Sequence, residues 1–207
     1  MAALKKIVLA IWLSILFVGI AYLFWRNEYI YSLPTPVPRD YQEVKIGALV
    51  DLPIENFGSR KKPMFLHFFN PACPCSRFNI AHVKSLFKKY ERQMSFAIVV
   101  INSEKEYSEE EIQDKFDFKV PVFFDQSIAS ACGVYSTPQA AILTGNHTLY
   151  YRGNYNKSRY CTNKESNYAQ NAIDSLLSQV QTPQFSPLAL TAYGCVLPSC
   201  EKPKEYK

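Results

Sequence analysis

The chain has 207 residues, enough for one ordinary domain with additional segments, and 48% of them are hydrophobic. Fourteen Tyr and fourteen Phe argue against an intrinsically disordered chain. The net charge of +5 is small and scattered, and no recognition motif for nucleic acid accompanies it. We therefore expect no nucleic-acid partner.

An apolar segment near the N-terminus predicts a membrane anchor. Lys5 and Lys6 precede residues 7–25, which carry no charge and are long enough to span a bilayer as a helix. A cleaved signal peptide is the alternative, but the segment lacks the small-residue cleavage site that such a peptide has. The leading lysines predict that the N-terminus stays inside and that the remainder lies outside the cytoplasm, which is the periplasm if the cell is Gram-negative.

The chain then divides into segments of different composition. Prolines alternate at 34, 36 and 38, which favours an extended spacer. We predict an anchor at 1–26, a Pro-rich tether at 27–45, a folded domain at 46–181 and a cysteine-containing tail at 182–207. Prolines interrupt the tail, so we expect it to be irregular.

Strand and helix patterns alternate within the predicted domain. Apolar runs predict strands at 63–69, 95–101, 120–124 and 139–143, the last followed by a hairpin into 148–152. Helical spacing predicts helices at 76–92 and 164–180, and Ser108 with Glu111 predicts a capping box that opens another. This alternation is typical of an α/β fold with a mixed sheet.

Two motifs within this pattern carry the predicted chemistry. Residues 68–78 read Phe-Phe-Asn-Pro-Ala-Cys-Pro-Cys-Ser-Arg-Phe, so a strand leads through a turn to Cys73 at the start of a helix. Unpaired amides at a helix start stabilise thiolate, which is the nucleophilic form of cysteine. Residues 133–139 read Gly-Val-Tyr-Ser-Thr-Pro-Gln and directly precede a predicted strand.

Together these motifs resemble the thioredoxin-like superfamily, and especially its membrane-anchored TlpA-like branch and redoxin relatives. The resemblance covers about residues 45–180. It implies a central mixed β-sheet flanked by helices, without a cofactor or a metal. It also implies thiol–disulfide exchange or isomerisation on protein thiols, with an electron donor or acceptor that the sequence does not identify.

The resemblance assigns roles to individual residues. Cys73 matches the attacking cysteine, Pro138 the proline expected to be cis, and Thr137 the residue whose backbone pairs with the substrate chain. The family's second cysteine falls on Ser76, so we expect Cys75 to be the resolving thiol. If Cys75 does not resolve, Cys73 acts as a single thiol.

Four further cysteines have their own predicted roles. The short spacing of Cys195 and Cys200 favours a local structural disulfide over a second redox relay. Cys161 is a candidate resolving thiol, because the matching loop of TlpA-like proteins lies on the active-site side. Cys132 is predicted to be a buried apolar thiol.

Three other functions compete with thiol–disulfide exchange. Two close thiolates suit Cu(I), as in a Sco-like copper chaperone, although the cysteine spacing differs from that family's. A thiol peroxidase of the redoxin kind and a non-catalytic binding module are the other two. Among the histidines, His67 is predicted to be a satisfied core residue and His82 to face solvent, so neither is expected to bind a metal.

Overall fold

The computed structural model describes residues 2–29, 32–52, 62–101, 106–158, 160–181 and 183–197. The chain divides into two compact units, Met1–Pro34 and Thr35–Lys207. The predicted site residue Cys200 lies outside the described residues.

The first unit is dominated by one apolar helix. Helix α1 comprises Ala2–Phe24 and continues into a π-helical turn at Trp25–Tyr29. No charged residue interrupts it between Lys6 and Arg26. The helix is therefore long and apolar enough to cross a membrane, as the sequence predicted.

A five-stranded mixed sheet organises the second unit. Its strands lie in the order β3-β2-β1-β5-β6. Their bounds are β1 Met64–Phe69, β2 Ser95–Val100, β3 Val122–Phe123, β5 Gln139–Leu143 and β6 Leu149–Gly153. β1 pairs in parallel with β2 and β2 with β3, whereas β1–β5 and β5–β6 are antiparallel. A separate two-stranded sheet joins β4, Ser136–Thr137, to β7, Cys195–Val196.

Helices cover both faces of the larger sheet. They are α2 Pro74–Phe78, α3 Ile80–Tyr90, α4 Glu109–Phe116, α5 Ser127–Ala131, α6 Tyr168–Leu177 and α7 Pro187–Leu190, with a 3₁₀ turn at Lys164–Ser166. The capping box predicted at Ser108 is present. The Ser108 hydroxyl accepts from the Glu111 backbone N–H, and the Glu111 carboxylate accepts from the Ser108 backbone N–H.

Burial of strand β1 on both faces explains why its sequence is a continuous apolar run. Phe65 and Phe69 face one hydrophobic cluster, which includes residues of α3, α4 and α6. Leu66 and Phe68 face a second cluster on the other side, with Ile128 of α5. A strand buried on both faces has no polar alternation. The mixed sheet with helices on both faces confirms the predicted fold class, a central mixed β-sheet flanked by helices.

The predicted helix at 76–92 is instead two helices, α2 and α3, which meet at Asn79. The Asn79 side-chain amide donates to the Cys75 carbonyl, the acceptor that a continuous helix would offer to the Asn79 backbone. The backbone N–H of Asn79 bonds instead to the carbonyls of Ser76 and Arg77. The break follows from this competition.

The predicted irregular tail is more ordered than expected in its described part, 183–197, which contains α7 and β7. Asn154, just after β6, holds α7 in place. Its backbone N–H donates to the Ala189 carbonyl at 2.8 Å, and its side-chain amide donates to the carbonyls of Leu188 and Thr191. A buried asparagine with several backbone partners therefore attaches the tail to the sheet.

A histidine lies within the core, on the middle strand of the sheet. His67 of β1 is buried, and its Nδ1 lies 2.6 Å from the Tyr155 hydroxyl. The prediction that His82 faces solvent is wrong, because Tyr155 covers its ring edge-on and its Nε2 is buried. Burial lowers the pKa of both imidazoles, that of His67 to about 3.

We expect this burial to make the domain sensitive to acid. The unfolded chain gains a proton on His67 near pH 6.5, whereas the folded chain resists it until about pH 3. Stability should therefore be lost as pH falls through this range, by up to about 1.4 kcal/mol per pH unit. Urea unfolding of His67→Gln between pH 7 and pH 4 should give a flatter dependence.

The matched control for this prediction is His147→Asn. His147 lies in the β5–β6 turn at a positive φ that asparagine also adopts. This variant removes one histidine without changing the core around His67. An unchanged dependence in His67→Gln would contradict the assignment to His67.

Candidate active site

A turn after β1 positions Cys73. The Asn70 side-chain oxygen accepts from the Ala72 amide at 2.9 Å, and the Asn70 carbonyl accepts from the Cys73 amide at 3.0 Å. The buried Ser76 hydroxyl accepts from the Asn70 amide at 3.3 Å. Cys73 thus lies immediately before α2, and the hydrogen bond of Ser76 supports the turn.

The strand β4 leads into a cis peptide bond. The bond is Thr137–Pro138, as the sequence predicted. β7 pairs with β4 in antiparallel fashion, so that Thr137 lies opposite Cys195 and Ser136 opposite Val196. A strand from the tail therefore occupies the edge next to the cis proline.

A disulfide joins Cys73 to Cys195 across 122 residues of sequence. The expected local disulfide between Cys195 and Cys200 is therefore wrong. Pairing of β7 with β4 brings Cys195 to the nucleophile, and sequence spacing carries no information on such a long-range contact. Cys75 was predicted to pair with Cys73. In the structure Cys195 takes that place, and Cys75 is not part of the disulfide.

Three sulfur atoms meet at this point. The Sγ atoms of Cys73, Cys75 and Cys195 all lie within 4.8 Å of one another. Their residues are 0%, 3% and 1% exposed, respectively. The sulfur of Cys75 thus lies within reach of the disulfide. Bulk solvent does not reach any of the three sulfurs directly.

The two other described cysteines lie outside this cluster. Cys132 is fully buried, as predicted, and desolvation raises its pKa to about 12. The Cys161 thiol donates to the Asn79 side-chain oxygen at 2.9 Å, and burial raises its pKa to about 12 as well. Little thiolate forms near neutral pH at such pKa values, so both cysteines are weak nucleophiles.

Thr35 secures the tail strand from a position that the sequence analysis assigned to the tether. Its backbone N–H donates to the Ala192 carbonyl at 2.7 Å. Its hydroxyl lies 3.0 Å from the Ser136 hydroxyl and donates to the Gly194 carbonyl at 3.2 Å. Sequence reasoning did not identify Thr35, because a single threonine in a Pro-rich segment has no distinguishing pattern.

Gly194 allows β7 to approach β4 closely. A Cβ at this residue would collide with the Thr137 carbonyl oxygen. We expect Gly194→Ala to lower the free energy of unfolding of the oxidised chain by about 1–3 kcal/mol. Reduction of the disulfide by dithiothreitol should also be faster, because β7 would be held less firmly. Thermal unfolding and thiol release measure the two effects.

Gly47→Ala is the matched control for this substitution. Both glycines have a positive φ, 92° at Gly47 and 157° at Gly194, but a Cβ at Gly47 would meet no atom within 4 Å. Gly47→Ala should therefore strain the backbone locally without affecting the disulfide. Equal reduction rates in the two variants would argue against the close approach at Gly194.

A family model described as "Domain of unknown function (DUF6436)" matches residues 45–199. The chain belongs to this family. The match includes all three clustered cysteines as well as Thr137 and Pro138. A search of curated proteins found no match.

Two solved structures share this fold at low identity, and a third is similar with a TM-score below 0.5. A hypothetical protein from Sinorhizobium meliloti 1021 is 16% identical with a TM-score of 0.56, covering 68% of this chain and 81% of that one. An uncharacterized conserved protein from Geobacillus kaustophilus is 22% identical with a TM-score of 0.51, covering 60% and 71%. A secreted Mycobacterium tuberculosis disulfide oxidoreductase homologous to E. coli DsbE is 14% identical with a TM-score of 0.42, covering 59% and 84%.

Proposed function

We propose that this DUF6436 protein is a membrane-tethered thiol–disulfide oxidoreductase or isomerase that acts on protein thiols outside the cytoplasm. Cys73 is the nucleophile, and Cys195, rather than Cys75, is its disulfide partner. The observation that carries the proposal is the Cys73–Cys195 disulfide beside the cis Thr137–Pro138 bond. A cysteine pair in a disulfide at a strand-to-helix turn supplies what exchange requires.

The exchange moves two electrons between substrate and protein. A substrate thiolate attacks the Cys73 sulfur, which forms a mixed disulfide and releases Cys195 as a thiolate. A second substrate thiolate then attacks the substrate sulfur of that mixed disulfide and releases Cys73. The substrate becomes a disulfide, Cys73 and Cys195 become thiols, and the two substrate protons end on them. The reverse sequence reduces a substrate disulfide.

Access to Cys73 depends on the tail strand. Cys73 is fully buried, and β7 covers the edge of β4. A substrate segment in extended form would replace β7 at Thr137 and make the same backbone pairing. A cleft of about 440 Å³ borders this edge, lined in part by Tyr41, Tyr135 and Leu197. It offers room for a chain that continues beyond the strand.

Two features support a position outside the cytoplasm. Lys5 and Lys6 precede the apolar helix, which orients it with the N-terminus inside. A long-range disulfide persists in oxidising compartments. A reporter enzyme that is active only outside the cytoplasm should be active when fused after residue 207. Activity only with a cytoplasmic reporter, or a mature chain that starts near residue 26, would contradict the tethered topology.

Exchange with a dithiol peptide tests the proposed reaction. The oxidised full chain in detergent should convert one peptide dithiol to a disulfide per chain and gain two thiols. Mass spectrometry after alkylation should map these thiols to Cys73 and Cys195. A peptide that remains reduced while the chain stays oxidised would contradict the proposal, as would new thiols at any other cysteine.

A further inference from the structure

We propose that the reduced active site is also a binding site for one Cu(I) ion, with the thiolates of Cys73, Cys75 and Cys195 as its three ligands. Within the part of the chain that the structure describes, these residues are the one group of three or more His, Cys, Asp or Glu side chains close enough to share a metal. The site therefore consists of sulfur ligands alone.

The spacing of the sulfurs fits a shared ion. Metal–thiolate bonds of about 2.3 Å place sulfurs that ligate the same ion about 4 Å apart. The three Sγ atoms already lie within 4.8 Å of one another. Reduction separates the two bonded sulfurs, and a rotation of each side chain is enough to surround an ion. The backbone placement by α2 and by the β4–β7 pair does not need to change.

The ligand set favours Cu(I) over other metals. Thiolates are soft ligands and select Cu(I), whereas carboxylates and carbonyls select harder ions. Structural zinc sites almost always have four ligands, and this cluster has three. Burial of all three cysteines also excludes the water that would complete a zinc site. A three-coordinate soft cation is the best match.

A neighbouring hydroxyl can assist the thiolates. Thr137 lies directly opposite Cys195 in the antiparallel β4–β7 pair, so both side chains project from the same face. The Thr137 hydroxyl is buried and has no hydrogen-bond partner among the described residues. Rotated toward the cluster, it donates to a ligating sulfur and offsets part of the negative charge that three thiolates bring into a buried site.

The disulfide and the metal exclude each other. Two electrons and two protons from a dithiol reductant convert the Cys73–Cys195 disulfide to thiols, and each thiol loses its proton when it ligates the ion. The oxidised chain retains only Cys75 of the three ligands and cannot hold the ion in this way. The redox state of the site thus decides whether it binds Cu(I).

Anaerobic titration of the full-length chain with Cu(I), against a chromogenic Cu(I) chelator, tests the proposal. The chain reduced by dithiothreitol and then freed of it should bind one Cu(I), with a sulfur-to-copper charge-transfer band. Cys75→Ser should weaken binding more than about 100-fold, since loss of outer-shell partners alone costs 10–100-fold. The oxidised chain should show a similar loss. Thr137→Val should weaken binding about tenfold.

Cys132→Ala is the matched control, because Cys132 is a buried cysteine outside the cluster. It should bind Cu(I) like the wild type, and circular dichroism should show that each variant is folded. Unchanged binding in Cys75→Ser, or loss of binding in Cys132→Ala, would overturn the assignment. So would zinc binding tighter than that of Cu(I). The peptide exchange is measured on metal-free chain, so either proposal can fail while the other holds.

Discussion

Replacement of Cys73 by serine should lower the rate of exchange with a dithiol peptide at least about a thousandfold, to the background rate. A serine hydroxyl does not ionise near neutral pH and forms no disulfide, whereas a thiol does both. The measurement is the appearance of peptide disulfide, with the oxidised wild-type chain as reference. The variant should be folded, since it keeps the turn that Asn70 and Ser76 form.

Cys132→Ala is the control for exchange. Burial raises the pKa of the Cys132 thiol to about 12, so this cysteine forms little of the reactive thiolate. The variant should exchange at the wild-type rate. Rapid exchange in Cys73→Ser would show that another cysteine is the nucleophile and would remove the basis of the site. A complementary variant is Cys195→Ser. Its Cys73 thiolate should attack an added peptide that carries one reactive disulfide, and the resulting mixed disulfide should accumulate and be visible by mass.

Reduction of the Cys73–Cys195 disulfide should destabilise the domain by about 2–5 kcal/mol. The disulfide joins residues 122 positions apart, so it removes much of the conformational freedom of the unfolded chain. For a domain of this size the loss corresponds to a fall in Tm of about 4–20 °C. Thermal unfolding of the oxidised and reduced full chain, each in the same detergent, measures it.

A variant that cannot form the disulfide is the control for this effect. Cys195→Ser should unfold at a temperature near that of the reduced wild type, and dithiothreitol should not lower it further. A further fall on reduction of this variant would mean that another disulfide supports the fold. Equal Tm values for oxidised and reduced wild type would contradict the stabilising role.

The sequence was informative where local chemistry decides the structure. The apolar run of β1 and the capping box at Ser108 depend on neighbours in the chain, and both were predicted. The cis bond before Pro138 and the position of Cys73 before a helix followed from motifs that resemble the thioredoxin-like superfamily. Such features follow from short stretches of sequence.

The sequence was misleading where a distant segment decides the structure. Cys195 was paired with Cys200 because they are close in sequence, yet strand pairing of β7 with β4 brings Cys195 to Cys73. His82, on the helix after the cysteines, was expected in solvent, yet Tyr155 covers its ring. In each case the partner is a residue that no local pattern indicates.

The long separation of Cys73 and Cys195 also has a consequence for biosynthesis. A ribosome adds about 5–20 residues per second, so the 122 residues between them take about 6–24 s to make. During this interval the nucleophile exists without its partner, and Cys75 is the nearest cysteine in the growing chain. The redox couple is complete only after every strand of the five-stranded sheet has been synthesised, which makes its assembly a late event in the life of each new molecule.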